Sequence, residues 1–140
     1  MRGLRFLLDT NILSEPLKPQ PNPNVMARLS EHGEELSTAT VVYHEMLFGC
    51  ELLPESKKRR ALELYLQLEV AAKLPLLPYN ATAAQWHASE RARLVKLGKT
   101  PSFPDGQIVA IAAVNNLTLA TNNQADYENF LGVQTENWFV

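Results

Sequence analysis

Cysteine and long apolar runs are nearly absent from this sequence. Cys50 is the single cysteine in 140 residues, so an intrachain disulfide and a cysteine-rich zinc site are both excluded. The short apolar patch before Asp9 is too brief for a signal peptide, and no run approaches the roughly 20 residues that cross a bilayer. These absences predict a protein of the reducing cytoplasm without a membrane segment.

A strong excess of one charge is also lacking. The chain has 13 Lys and Arg against 15 Asp and Glu, a formal net charge of −2. General nucleic-acid binders depend on an excess of basic residues, so that class is disfavoured, whereas an enzyme that engages nucleic acid briefly is still allowed. The composition, 46% hydrophobic and 20% charged, is typical of a globular protein, and the length predicts one domain over residues 1–140.

Short apolar segments alternate with helical patterns along the chain. Strands are predicted at 4–8, 36–39, 76–79, 117–121 and 133–135, and helices at 23–33, 40–53, 61–72, 80–97, from 105 onward, and at 123–130. Such alternation is typical of a parallel sheet covered on both faces. The predicted fold is a three-layer α/β/α sandwich with a central, mostly parallel sheet of four to five strands.

Aspartate is rare, and each aspartate stands near the end of a predicted strand or the start of a helix. Of the 15 acidic residues, only Asp9, Asp105 and Asp126 are aspartates, and the others are glutamates. Sites in open parallel sheets lie beyond the carboxyl ends of the strands, where these residues and Glu45 can converge. Taken singly, an aspartate at a helix start is usually a cap that stabilises by about 0.5–2 kcal/mol. Glu45 alone could equally lie on a solvated helix face.

Carboxylates that converge repel one another unless a cation offsets their charge. Oxygen ligands of this kind suit Mg²⁺ or Mn²⁺, and the usual partner of such a metal is a phosphate. The joint pattern therefore favours a metal-assisted reaction at a phosphate over four independent caps.

Four ordered motifs extend this pattern over the whole chain. They are Leu7-Leu8-Asp9-Thr10-Asn11-Ile12-Leu13-Ser14-Glu15, then Ser37-Thr38-Ala39-Thr40 through His44-Glu45 to Phe48-Gly49, then Asp105-Gly106-Gln107-Ile108-Val109-Ala110-Ile111-Ala112, and finally Ala120-Thr121-Asn122-Asn123 with Asp126-Tyr127. Together with the closing Asn137-Trp138, they resemble PIN-domain proteins of the VapC and FitB toxin type.

The resemblance implies a PIN-like fold and an endoribonuclease that uses Mg²⁺ or Mn²⁺. The metal would be held by Asp9, Asp105 and Glu45, which with Asp126 and Asn123 form the implied catalytic set. Many members carry aspartate where this chain has Asn123, so Asn123 and Asp126 remain alternatives for the fourth role. Thr10, Asn11, Ser14 and Thr121 are expected to orient the carboxylates, although each could be a simple cap or turn residue.

The resemblance also implies an RNA substrate, a cognate antitoxin and a homodimer that can enlarge with the antitoxin. Four basic residues could contact RNA or simply form a solvated helix face: Arg91, Arg93, Lys96 and Lys99. Two other functions stay open, a PIN-fold binding module without catalysis and a phosphoesterase that acts on small nucleotides.

Overall fold

The computed structural model describes residues 3–140, and its centre is a sheet of five parallel strands. The strands are β1 (Phe6–Leu8), β2 (Leu36–Ala39), β3 (Leu76–Leu77), β4 (Thr118–Ala120) and β5 (Gln134–Glu136). They lie side by side in the order β3-β2-β1-β4-β5, and every pairing is parallel. The predicted parallel α/β architecture is confirmed.

The central strands are covered on both faces. Every residue of β1 and β2 is buried. Since successive side chains of a strand point to opposite faces, this burial requires packed layers on both sides of the sheet. Two hydroxyls of β2 add to the pairing, because Ser37 Oγ donates to the Phe6 carbonyl and Thr38 Oγ1 to the Leu8 carbonyl, both at 2.8 Å.

In the described part of the chain, six α-helices surround the sheet. They are α1 (Thr10–Ser14), α2 (Pro23–Glu31), α3 (Thr40–Glu51), α4 (Lys57–Tyr65), α5 (Ala81–Lys96) and α6 (Phe103–Val114), and a π-helical segment, Leu66–Ala71, continues α4. The predicted caps of α2 and α5 are confirmed: Asn22 accepts from the Val25 amide at 3.1 Å and Asn80 from the Ala83 amide at 2.9 Å. Within residues 3–140, no helix is both long and apolar enough to cross a membrane.

Three predicted helix boundaries are wrong. The helix expected from 105 begins at Phe103, because Ser102 caps it by accepting from the Asp105 amide at 3.2 Å. The helix expected at 61–72 begins at Lys57, after the cap Ser56. The helix expected at 123–130 is only a 3₁₀ turn, Gln124–Asp126.

The topology brings several chain segments to one edge of the sheet. β1 lies between β2 and β4, with Leu8 beside Thr38 and Ala120. Asp9 follows β1, α3 begins directly after β2, and Thr121 follows β4. The carboxyl ends of three neighbouring strands therefore place residues from distant parts of the sequence around one point.

Candidate active site

A pocket of about 300 Å³ opens at the carboxyl ends of these strands. Eight residues named from the sequence line it: Asp9, Thr10, Asn11, Ser14, Glu45, Asp105, Asn123 and Asp126. Ile108 and Tyr127 complete the lining. The structure thus gathers all four acidic residues in one place, whereas Thr121 is buried beside the pocket rather than in its wall.

Asp9 is the anchored carboxylate of the pocket. Its side chain is 5% exposed, and Oδ1 accepts a hydrogen bond from the Thr10 amide at 2.8 Å. Oδ2 accepts from Thr121 Oγ1 at 2.9 Å and from the Tyr127 hydroxyl at 2.8 Å. Among the described residues, Oδ1 has that single donor, so it keeps a lone pair for a cation.

Asn11 and Thr121 fix the position of Asp9 from behind. Asn11 Nδ2 donates to Thr121 Oγ1 at 3.2 Å, and Asn11 Oδ1 accepts from the Asn122 amide at 3.0 Å. Thr121 Oγ1 also accepts from the Asn123 amide at 3.0 Å, which leaves its proton for Asp9. These contacts tie the loop after β4 to the start of α1. The orienting role expected of these two residues remains a prediction, and these hydrogen bonds supply its geometry.

Glu45 stands on the first turns of α3 and is exposed. Thr10 Oγ1 donates to Glu45 Oε2 at 3.0 Å, so Thr10 contacts two of the carboxylates, with its amide on Asp9. Ser14 is less closely connected, because its hydroxyl reaches only the Asn11 carbonyl, at 3.5 Å. One exposed hydrogen bond leaves Glu45 free to change rotamer.

Asp105 lies in the first turn of α6 and carries the charge that the pocket disfavours. Burial raises the pKa of its carboxyl, and repulsion from Asp126 and Asp9 adds to the rise. Hydrogen bonds from Ser102 and Tyr127 oppose part of it. Like charges that share a site account for this repulsion, and a cation between them would remove it.

The two alternatives for the fourth role stand together at the pocket rim. Asn123 and Asp126 both line the pocket and are both exposed. The Asp126 amide donates to the Asn123 carbonyl at 3.0 Å, which closes the 3₁₀ turn that carries them. Asp126 acts on Asp105 as a charge, and Asn123 offers an amide oxygen. Both residues are therefore placed to contribute.

Tyr127 is a site residue that the sequence reasoning missed. Its side chain is 3% exposed, and its hydroxyl reaches both Asp9 and Asp105. Burial, with Asp9 next to it, raises the pKa of Tyr127, so the hydroxyl keeps its proton and donates. Tyr127 follows Asp126 in the fourth motif, but its contact with Asp9 spans 118 residues, so the local sequence carries no signal for it.

The oxygen ligands of the pocket suit a hard divalent cation, although the carboxylates lie too far apart to surround one. Over residues 3–140, no three His, Cys, Asp or Glu side chains stand close enough together to hold a metal ion. Yet four carboxylates share one pocket, and burial, with repulsion from Asp126 and Asp9 added to it, raises the pKa of Asp105. Oxygen ligands alone suit Mg²⁺ and Mn²⁺. Binding would require the more mobile side chains to move inward.

The four basic residues expected near RNA differ in their contacts. Arg93 forms an ion pair with Glu90 at 2.8 Å and donates to the Asn129 carbonyl, and Lys99 donates to Asn129 Oδ1 at 2.8 Å. In the part of the chain that the structure describes, Arg91 and Lys96 form no ion pair. The RNA role of all four stays a prediction, and Arg93 and Lys99 could assume it only by giving up these contacts, whereas Arg91 has a cation–π contact with Phe103 at 5.2 Å.

The fold and the pocket together define the class of protein. The family model of the PIN domain matches residues 6–129, a range that includes four of the five strands and every residue that lines the pocket. The chain belongs to the PIN domain family.

Within that family, the chain is similar to named toxins and nucleases. It is 35% identical over 128 residues to Toxin FitB of Neisseria gonorrhoeae, covering 87% of this chain and 90% of that protein. It is 28% identical to the tRNA(fMet)-specific endonuclease VapC of Shigella flexneri, covering 96% and 98%. The crystal structure of FitAcB from Neisseria gonorrhoeae superposes with a TM-score of 0.84 at 31% identity, covering 96% and 98%. The predicted class, a PIN-domain endoribonuclease of the toxin type, is confirmed.

Proposed function

We propose that this protein is a metal-dependent endoribonuclease that hydrolyses RNA phosphodiester bonds at the pocket beyond β1, β2 and β4. The observation that carries the proposal is the convergence of Asp9, Glu45, Asp105 and Asp126 on one pocket, with Asp9 held by donors from three chain segments. Repulsion among carboxylates lowers the stability of the fold, so a cluster of them is more typical of a functional site than of a structural one.

Asp9 and Asp105 would hold the cation, with Glu45 and either Asp126 or Asn123 completing the set. A bound Mg²⁺ or Mn²⁺ would supply Lewis acidity, which lowers the pKa of a water and offsets charge on the phosphate. Two observations support this assignment, the free lone pair on Asp9 Oδ1 and the disfavoured charge of Asp105.

Other residues of the pocket would orient the carboxylates and accept a proton. Thr121 and Tyr127 donate to the same oxygen of Asp9, which fixes the orientation of its carboxylate and leaves the other oxygen with the Thr10 amide as its donor. Thr10 couples Asp9 to Glu45 through its amide and hydroxyl. An exposed carboxylate at Glu45 or Asp126 can accept the proton that the attacking water releases.

Cleavage of total cellular RNA by the purified protein tests the proposal. We expect discrete fragments with Mg²⁺ or Mn²⁺, none with EDTA, and none from Asp9→Asn or Asp105→Asn. A folded protein that binds no divalent metal and leaves RNA unchanged would instead be a binding module. Turnover of a mononucleotide analogue without RNA cleavage would indicate a phosphoesterase.

The proposal includes an antitoxin partner and a homodimer, as the resemblance to toxins implies. Large exposed apolar side chains lie on α3, directly after its end, on α4 and on the segment that continues α4: Leu47, Phe48, Leu52, Leu64 and Leu68. Exposed apolar surface is typical of protein interfaces, so we propose that these side chains contribute to one. Light scattering should give a dimer for the protein alone and a larger complex with the product of the neighbouring short reading frame. A monomer that does not bind that product would contradict both the proposed homodimer and the proposed antitoxin partner.

A further inference from the structure

Asp105 reaches the pocket from a helical turn that is packed closely against α5. Asp105 and Ile108, three residues on, both line the pocket, so one side of α6 faces it. Gly106 and Phe103 lie against α5 instead, where both meet the side chain of His87. The first turn of α6 is therefore held between the pocket and α5, and its distance from α5 determines where Asp105 stands.

The packing between the two helices requires a glycine at position 106. A Cβ atom there would overlap His87 Nε2 and would lie only 2.8 Å from His87 Cδ2. Gly106 does not have a positive φ, so close approach rather than backbone conformation is the reason for the glycine. The backbone of α6 thus lies as near to the imidazole as van der Waals contact permits, and the ring sets the separation of the helices at this turn.

His87 is itself fixed on its other sides. It is 3% exposed, and its Nδ1 is hydrogen-bonded at 2.8 Å to the hydroxyl of Tyr79, which follows β3. The Phe103 ring covers the imidazole at 4.9 Å between centroids. Burial, with Arg91 nearby, lowers the pKa of His87, so the ring packs as a neutral group. A methyl group added at Gly106 should therefore displace α6 rather than the imidazole.

We propose that His87 is a positioning residue of the metal site, which fixes the place of Asp105 through its contact with Gly106. Consecutive Cα atoms are about 3.8 Å apart and packed interiors transmit displacement, so a shift of Gly106 moves Asp105 with it. The role rests on the proposed ribonuclease function, because it requires Asp105 to hold a cation. It gives a part in that function to α5, which contributes no residue to the pocket wall.

Gly106→Ala tests the contact directly. Mn²⁺ binding, measured by calorimetry, should weaken about 10-fold, as is usual when a contact that orients a metal ligand is lost. The Mg²⁺ concentration for half-maximal RNA cleavage should rise by a similar factor, with little change in kcat. Gly49→Ala is the matched control, because a Cβ within α3 at that position meets nothing within 4 Å. It should leave Mn²⁺ affinity unchanged and raise Tm by about 2 °C.

A double variant shows whether Gly106→Ala acts through His87. His87→Ala alone should weaken Mn²⁺ binding about 10-fold, because the first turn of α6 loses its support. Gly106→Ala added to it should weaken binding no further, because the ring that would clash with the methyl group is gone. Two independent effects would instead multiply to about 100-fold in the double variant, which would contradict the proposed contact.

Two more variants separate positioning from stability. Leu94→Ala truncates a fully buried side chain of α5, about two turns beyond His87. It should lower Tm at least as much as His87→Ala while Mn²⁺ affinity stays at the wild-type value. Tyr79→Phe removes only the hydrogen bond to the imidazole, so the protein should stay folded and bind Mn²⁺ several-fold more weakly. Thermal unfolding checks the fold of each variant.

The outcomes separate the positioning role from the function on which it rests. If wild type binds Mn²⁺ and cleaves RNA, and Gly106→Ala keeps its Mn²⁺ affinity, the positioning role is wrong while the ribonuclease stands. If Leu94→Ala weakens Mn²⁺ binding as much as His87→Ala, reduced stability explains both, and the role is again wrong. If wild type binds no divalent metal and leaves RNA intact, the proposed function fails and the positioning role fails with it.

Discussion

The two halves of the acidic pocket are built differently. In the strand half, Asp9 is buried and accepts hydrogen bonds from Thr10, Thr121 and Tyr127. In the helix half, Glu45 is exposed and holds one hydrogen bond, and Asp105 carries a charge that its neighbours disfavour. Under the proposed function, the first arrangement would fix one ligand before a cation binds. The second would leave ligands that can move and whose repulsion the cation would offset.

The pocket therefore combines one carboxylate whose position is fixed with others whose side chains can move. A buried carboxylate is tolerated when several donors satisfy it, and those donors also fix its rotamer. Carboxylates at the rim retain contact with water, so their repulsion is partly screened. We therefore expect substitutions in the strand half to lower both stability and activity. Substitutions in the helix half should lower activity without lowering stability.

The largest effect is expected from Asp9→Asn. The substitution removes one ligand charge and places an NH₂ group where two hydroxyls donate, so a buried donor–donor contact replaces a hydrogen bond. RNA cleavage should fall about 1,000-fold, and the free energy of unfolding by about 1–3 kcal/mol. Rate measurements and urea denaturation check the two effects. A variant with intact stability would contradict the anchored role of Asp9.

Asp105→Asn should separate activity from stability. Cleavage should again be lost, but the metal-free protein should melt roughly 2 °C higher, because a disfavoured charge is gone. The folded pKa of Asp105 is raised, so its penalty is present above that pKa and disappears as pH falls through it. The gap in Tm between variant and wild type should therefore be largest at neutral pH and shrink in acid. Calorimetry from pH 7 to 4 without metal checks this, and a variant that melts lower at pH 7 would contradict it.

Tyr127→Phe tests whether the hydrogen bond from the Tyr127 hydroxyl to Asp9 Oδ2 holds Asp9 in position for a cation. Loss of one hydrogen bond to a ligand oxygen should weaken Mn²⁺ binding about 10-fold, measured by calorimetry. Tyr65→Phe is the matched control, because it removes a hydrogen bond of 2.6 Å from a partly buried tyrosine to the Leu13 carbonyl, outside the ligand set. Equal Mn²⁺ affinity in both variants would show that the Tyr127 hydroxyl is only structural.

The order of elements and the convergence of the acids could be predicted because both follow from local patterns. An apolar run that ends in Asp9 marks a buried strand and its carboxyl end, and Asn22 and Asn80 are strong caps before helical periodicity. The start of α6 was misplaced because Ser102 and Asp105 are both good caps. Pro104, which suits the first turn of a helix, was the signal in favour of Ser102.

The segment from Asn123 to Leu131 could not be predicted because long-range contacts determine it. The segment after Asn123 is held by Arg93, which donates to the Asn129 carbonyl, and by Glu90, which accepts from the Leu131 amide at 3.0 Å. These contacts span 36 and 41 residues of sequence and replace the expected helix. Tyr127 reaches Asp9 across 118 residues for the same reason, so no local pattern could give it a role.

The smallest effect is expected from Glu45→Gln. Its amide oxygen can still accept from Thr10, and an exposed position tolerates the change, so stability should stay within about 0.5 kcal/mol. Cleavage should fall only several-fold at saturating Mg²⁺, because the anchored ligands remain, but the Mg²⁺ concentration needed for half-maximal rate should rise. Glu31→Gln, a matched exposed substitution on α2, should leave the Mg²⁺ dependence unchanged. If Glu45→Gln matched Asp9→Asn in both rate and stability, the helix half would be as rigid as the strand half, and the contrast between them would be wrong.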